Sequence, residues 1–252
     1  MIEPGRVEVN VEGGVARVTF SHPKGNSLPG ATLAELAAAV RRASDDPAAR
    51  VVLLQSAGER AFCAGASFDE LLAVKDEAAA TEFFMGFARL ILAMRSCPKF
   101  VVARVQGKVV GGGVGVVAAS DYALATRAAS IRLSELALGI GPFVIGPVVE
   151  RRIGPGPFAA AAADADWRDA DWAERHGLYA QVHDSIEELD AAVSALLERL
   201  AGFSPEAMAE LKRVFWEDTT GWERLLERRA AISARLVLTD RAQRTIQGMR
   251  GR

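Results

Sequence analysis

The sequence predicts an α/β fold with mainly parallel strand pairing and a helical region at its C-terminal end. Short apolar runs alternate with helically patterned segments through about residue 185, the pattern of strands joined by crossover helices. Beyond that point four consecutive amphipathic segments, at 186–200, 205–216, 221–236 and 239–249, carry few strand signals. Near the start, two runs of alternating apolar and polar residues flank Gly13-Gly14 and predict a β-hairpin.

The elements follow in order. After the hairpin, Ser21 to Asn26 is loop-forming by composition. Residues 32–43 place Leu33, Leu36, Ala37 and Val40 at helical spacing, and Pro47 follows. Residues 51–55 form a short apolar run, a buried strand. Small residues then dominate to Ser67, and helical patterning covers 68–72 and 78–94, ending before Pro98. Residues 100–105 predict a second buried strand, 109–119 a glycine loop continuing apolar, and 122–126 and 130–133 further short strands. The alanine-rich run at 159–163 suits a tightly packed helix. These patterns divide the chain into a core over 1–195 and a C-terminal helical region over 196–252, suited to oligomerisation and to covering a cleft.

Composition narrows the function classes. Of 252 residues, 50% are hydrophobic and 25% charged, with a net charge of −2, which is ordinary for a soluble globular protein. No nucleic-acid surface or polybasic membrane anchor is implied. The first ten residues carry Glu3, Arg6 and Glu8 and lack a signal-peptide core. The most apolar stretch, 100–119, is interrupted by Arg104, Gln106, Lys108 and glycines, so it predicts buried strand and loop and no membrane span. Two cysteines, Cys63 and Cys97, make neither a disulfide framework nor a zinc site, and they suggest reduced thiols in the cytoplasm. No His/Cys/acid cluster has metal-ligand spacing, so no metal site is expected.

Three segments carry chemistry. In the first, Ala61 to Leu71 (AFCAGASFDEL), small residues lie between a strand and a helix, so backbone N–H groups can approach a ligand. The helix N-terminus adds a partial positive charge suited to a developing oxyanion. In the second, Gly111-Gly112-Gly113 separates apolar segments; three glycines fit a backbone passing close to another group or taking positive φ. In the third, Glu135 is the only acid between Asp121 and Glu150. Apolar surroundings raise a carboxyl pKa, the tuning wanted for proton transfer near neutral pH. Read alone, the first two segments also suit tight turns or close packing, and Glu135 suits a helix-start acid after Ser134.

In this order the segments resemble the crotonase (enoyl-CoA hydratase/isomerase) superfamily over nearly the whole chain. AFCAGASFDEL resembles its first oxyanion-hole loop, and VQGKVVGGGVGVVAASDYALA its second glycine loop. IRLSELALGIGP resembles the segment bearing a catalytic glutamate, and HPKGNSL the loop beside the CoA cleft. The resemblance implies a ββα-unit spiral core, a C-terminal helical region, and assembly as a trimer or a dimer of trimers. It implies that the N–H groups of Ala66 and Gly112 hold a thioester oxygen while Glu135 shuttles a proton. Ala64, Ser67, Phe68 and Gly111 would then line the thioester and pantetheine, with Ser27 and Leu28 near the nucleotide end. The resemblance also implies an acyl-CoA thioester as partner, coenzyme A as part of the substrate with no separate cofactor, and a place in fatty acid metabolism.

One departure matters. Hydratases of this family often use two glutamates, the first lying two residues beyond the triple glycine, and here that position is Gly115. Glu135 would then hydrate a 2-enoyl-CoA alone, as in members resembling methylglutaconyl-CoA hydratases, or shift a 3-enoyl double bond as an isomerase. Phe143 stands where dienoyl-CoA isomerases carry a further aspartate, and decarboxylases stay open. A non-catalytic CoA-ester binder is a third reading. Gly113 to Ala118 also matches the G-x-G-x-x-A dinucleotide fingerprint, with Glu135 about 20 residues on, so a nicotinamide-dependent dehydrogenase is a pattern-level rival. No G-x-S-x-G elbow supports a serine hydrolase. Arg60 and Lys75, flanking the first loop, are candidates for CoA phosphates, while Trp216 and Trp222 suit packing or subunit contact.

Overall fold

Gly13 and Gly14 take positive φ, 57° and 81°, the geometry of a two-residue turn whose twist matches the flanking strands. They join β1 (Arg6–Glu12) to β2 (Val15–Ser21) in an antiparallel hairpin. A computed structural model describes residues 3–249. After the hairpin come α1 (Gly30–Asp45), β3 (Val51–Ser56), α2 (Phe68–Ala73), α3 (Glu77–Ser96) and β4 (Val101–Val105). Next are β5 (Val109–Val110), α4 (Gly112–Ala119), β6 (Tyr122–Thr126), β7 (Ile131–Arg132) and a 3₁₀ turn at Leu136–Leu138. The remainder is α5 (Gly146–Ile153), α6 (Pro155–Asp164), α7 (Ala170–Arg175), β8 (Gln181–His183), α8 (Ile186–Ala201), α9 (Pro205–Phe215), a second 3₁₀ turn at Glu217–Thr219, α10 (Trp222–Val237) and α11 (Asp240–Met249).

The main sheet runs β1-β2-β3-β4-β6-β8, parallel throughout except for the hairpin; β5 and β7 pair in a separate parallel ladder. The parallel sheet is covered on both faces, as its uninterrupted apolar strands require. Val52 and Leu54 of β3 join one core with α1, α3 and α4, while Val51 and Leu53 join a second core with α8. Leu189, Val193, Leu196, Leu197 and Leu200 form the α8 stripe, each burial contributing roughly 1.5–3 kcal/mol.

The division expected at 195–196 falls inside α8, which runs unbroken to Ala201 and packs on the sheet. Past it the chain does turn wholly helical, and α10 packs along α3. Trp216 meets Trp222 edge-to-face with centroids 5.7 Å apart, a packing contact within the chain. Lys212 and Asp121 form a buried ion pair at 2.7 Å. Asp121 also accepts the Val101 N–H at 2.7 Å, and Lys212 donates to the Lys99 carbonyl at 2.9 Å. The alanine-rich run corrects the sequence reading. In α6 only Ala161 is buried, because the helix lies on the surface and its alanines supply helix propensity instead of core.

Candidate active site

The loop from β3 to α2 is clipped in place by the loop after the hairpin. Asn26, at φ 58°, donates from Nδ2 to the carbonyls of Ala57 and Ala61, both at 2.9 Å. The Leu28 N–H donates to the Gly65 carbonyl at 2.8 Å, and the Ala64 N–H to the Gly25 carbonyl at 3.0 Å. Gly65 sits at φ 90°, where a Cβ would lie 3.0 Å from the Val110 carbonyl oxygen, so no side chain is tolerated there. His22 Nδ1 accepts the Lys24 N–H at 3.2 Å and lies 2.9 Å from Ser27 Oγ, while Nε2 lies 3.0 Å from the Glu3 carbonyl. These contacts fit the tautomer with its proton on Nε2.

The second glycine loop leads straight into α4. Gly111 caps this helix at φ 53°. A Cβ on Gly112 would overlap the Phe87 ring, and one on Gly113 would lie 2.7 Å from Cys63 Cβ. The triple glycine thus serves a positive-φ cap at its first position and close packing at the other two. As the first residue of α4, Gly112 has an N–H free of helical bonding. Neither the Gly112 nor the Ala66 N–H donates to a backbone carbonyl among the described residues.

Glu135 stands just before the 3₁₀ turn, where its carbonyl accepts the N–H groups of Leu138 (3.1 Å) and Ile140 (3.0 Å). Gly139 closes the turn at φ 81°, and a Cβ there would touch Ala242 of α11 at 3.5 Å. Gln243 of α11 donates to the Leu71 carbonyl at 3.3 Å, so the tail presses on both the glutamate turn and α2. The Glu135 Oε2 atom is buried with no hydrogen-bond partner. Burial pushes its carboxyl from the ordinary 4.5 up to about 7, since an unpartnered anion is costly away from water.

One cavity brings these parts together. Ala64, Ala66, Phe68, Gly111, Gly112 and Glu135 all line it. Ser27, Leu28 and Ser67 do not. Ser67 is 3% exposed, and its hydroxyl accepts the Glu70 N–H as the cap of α2. Ser27 and Leu28 lie buried beneath the first loop. The apolar walls were not legible as a site in the sequence. Phe84 and Phe87 come from α3, Leu71 from α2 and Ser233 from α10, with Phe143, Val144 and Ile145 from the segment before α5. The helical aromatic cluster Phe83-Phe84-x-x-Phe87 reads equally as core, and Ser233 carries no sequence signal.

A Cβ on Gly115 would lie 2.6 Å from Ile145 Cβ, so the space beside this position is filled by an apolar side chain. The dinucleotide-like run loses its basis here, because Gly113 to Ala118 lies wholly within α4 and its glycines face Cys63 and Ile145. The Cys63 thiol is buried and pushed up to about 12 by that burial, the state of an inert packing group. Arg60 and Lys75 are exposed. Among the described residues no group of three or more His, Cys, Asp or Glu could hold a metal ion. No helix among them is long and apolar enough to cross a membrane.

The enoyl-CoA hydratase/isomerase family model matches residues 10–250. Carnitinyl-CoA dehydratase from Proteus mirabilis is 30% identical over 210 residues, covering 83% of this chain and 79% of its own length. The structure of an enoyl-CoA hydratase from Mycobacterium avium superposes with a TM-score of 0.86 at 31% identity, covering 97% of this chain and 96% of that one. An enoyl-CoA hydratase from Bacillus halodurans gives a TM-score of 0.89 at 20% identity over 96% of this chain and 99% of that one, a likeness of fold.

Proposed function

This chain belongs to the enoyl-CoA hydratase/isomerase family, and from that premise we propose that it reversibly hydrates a 2-enoyl-CoA thioester, with Glu135 as its single acid and base. The observation that carries this reading is the meeting of the Ala66 and Gly112 backbone with the buried carboxyl of Glu135 around one cavity. The two N–H groups receive the thioester oxygen as negative charge develops on it. Glu135 takes a proton from water, the hydroxide oxygen bonds to the β-carbon, and the double-bond electrons move onto the enolate oxygen. Glu135 then returns that proton to the α-carbon, so one water is added in all. Preorganised oxyanion donors contribute about 10²–10³ in rate each, and acid–base transfer about 10²–10⁴.

Isomerisation is a second reading, favoured by the Gly115–Ile145 contact. With no second carboxylate, one base still suffices to move a proton from the α-carbon of a 3-enoyl-CoA to its γ-carbon. In either case coenzyme A arrives as part of the substrate, and no separate cofactor enters the reaction. Ser27 and Leu28 belong to the loop beneath the CoA end, and Ser67 acts by holding α2. Exposed Phe203, Leu211, Val214 and Phe215 supply an apolar surface for the proposed trimer or dimer of trimers, which light scattering would test.

A panel of 2-enoyl and 3-enoyl thioesters, followed by conjugated-thioester absorbance, separates hydration from isomerisation. Glu135→Gln should keep acyl-CoA binding and lose nearly all turnover. Retention of more than about a tenth of the wild-type rate would remove Glu135 from the mechanism.

A further inference from the structure

We infer that the cavity admits a short acyl group bearing no carboxylate, and that Ile145 sets the length it accepts. This deepens the reading above, since it assumes that the cavity receives the acyl part of a CoA thioester.

Charge supports the first half. Glu135 is the only charged residue lining the cavity among the described residues, and the walls of Leu71, Phe84, Phe87, Phe143 and Val144 are apolar. An acyl carboxylate would lie buried with no cation to pair with and would face Glu135. This departs from the substrate type of the methylglutaconyl-CoA hydratase branch that the sequence resembles.

Size supports the second half. The cavity measures about 50 Å³, and a water-sized group takes at least about 10–15 Å³ on this measure. It therefore has room for a few atoms, the size of a short acyl group. Gly112 and Gly115 lie three residues apart, on one face of α4. Ile145 packs against Gly115, so this wall stands three residues of helical rise, roughly 4.5 Å, beyond the Gly112 amide. Ile145 is 3% exposed and immediately precedes α5, which fixes its backbone.

Calorimetric titration with butyryl-, octanoyl- and glutaryl-CoA tests both halves. These saturated thioesters bind without needing turnover. Wild-type protein should bind butyryl-CoA at least about tenfold more tightly than either of the others. Ile145→Ala should shrink the butyryl-to-octanoyl ratio by at least about tenfold, leaving glutaryl-CoA discriminated against as before. Ile145→Val, a smaller change that keeps the branch at Cβ, should fall between and carries the test if the alanine variant does not fold. Equal wild-type affinities, no binding of any of the three, or a ratio unmoved by both variants would overturn the inference. If the binding pattern holds while no enoyl-CoA is turned over, the pocket stands and the catalytic reading falls. Turnover of an enoyl-CoA without that binding pattern leaves the catalytic reading standing and overturns the inference about the pocket.

Discussion

Gly111 and Glu135 face each other so closely that a Cβ on the glycine would lie 3.2 Å from the carboxyl Oε1. The positive φ of Gly111 opens that approach, bringing an acid to the N-terminal end of α4. A helix N-terminus favours an anion, yet burial outweighs it and leaves this carboxyl raised to about 7. The site thus holds an acid whose proton is available near neutrality.

Stability should reveal that proton. The folded protein holds it more tightly than the unfolded chain, so the stability this group contributes is full below about pH 4.5, falls as pH rises from 4.5 to about 7, and stays lost above that. The loss is at most about 3 kcal/mol. Urea unfolding at pH 5 and pH 8 should show Glu135→Gln gaining on wild type by up to that amount at the higher pH. A difference independent of pH would show that Glu135 ionises as freely in the folded protein as in the unfolded chain.

Activity should follow the same proton in the opposite sense. As a base toward water, Glu135 works ionised, so kcat/KM should climb through about pH 7 and fall off along an acid limb below that value. A profile flat down to pH 5 would assign the base role elsewhere.

Gly115 and Ile145 should prove strongly coupled. Gly115→Glu overfills the space beside Ile145 and buries a second charge, costing about 3 kcal/mol or more. Adding Ile145→Ala should restore at least about 1 kcal/mol beyond the sum of the single effects. Additive effects in a double-mutant cycle would mean that the two side chains do not compete.

Gly112→Ala should displace the Phe87 ring, destabilising the fold by about 1–3 kcal/mol. The backbone N–H survives this change but moves, so turnover should fall by about 10² or more. Pairing it with Phe87→Leu should recover stability before activity, read by thermal melts beside initial rates.

Neither thiol should react in the folded protein. Cys63 and Cys97 are both buried, and the Cys63 thiol is pushed up to about 12. A thiol-colour assay should stay blank in native buffer and report both cysteines after denaturation.

Much of this molecule was legible in its residues, and for identifiable reasons. The hairpin was written in Gly13-Gly14, and every C-terminal helix was written in apolar spacing. In the separate β5–β7 ladder, β7 falls within the strand expected at 130–133, whereas β5 lay hidden at the start of the glycine loop, because a two-residue strand carries no period. Glu135 stood out as an isolated acid among apolar neighbours. Its walls did not stand out: Phe87 and Ile145 look like any core residue until the fold sets them against Gly112 and Gly115. Ser67 shows the converse, a loop residue that suggests a ligand contact while its hydroxyl caps α2. Sequence pattern reports what a segment is, whereas a pocket depends on which distant segments meet.

The contact of α11 with the Glu135 turn has a consequence for biosynthesis. Ala242 and Ile246 are fully buried, and Ala242 backs the turn at Gly139. Translation adds these residues more than a hundred positions after the glutamate itself. A nascent chain on the ribosome therefore carries both amide loops and the acid long before the support behind them exists. Catalytic competence should arrive late and abruptly, when the segment around residues 242–246 has emerged and docked.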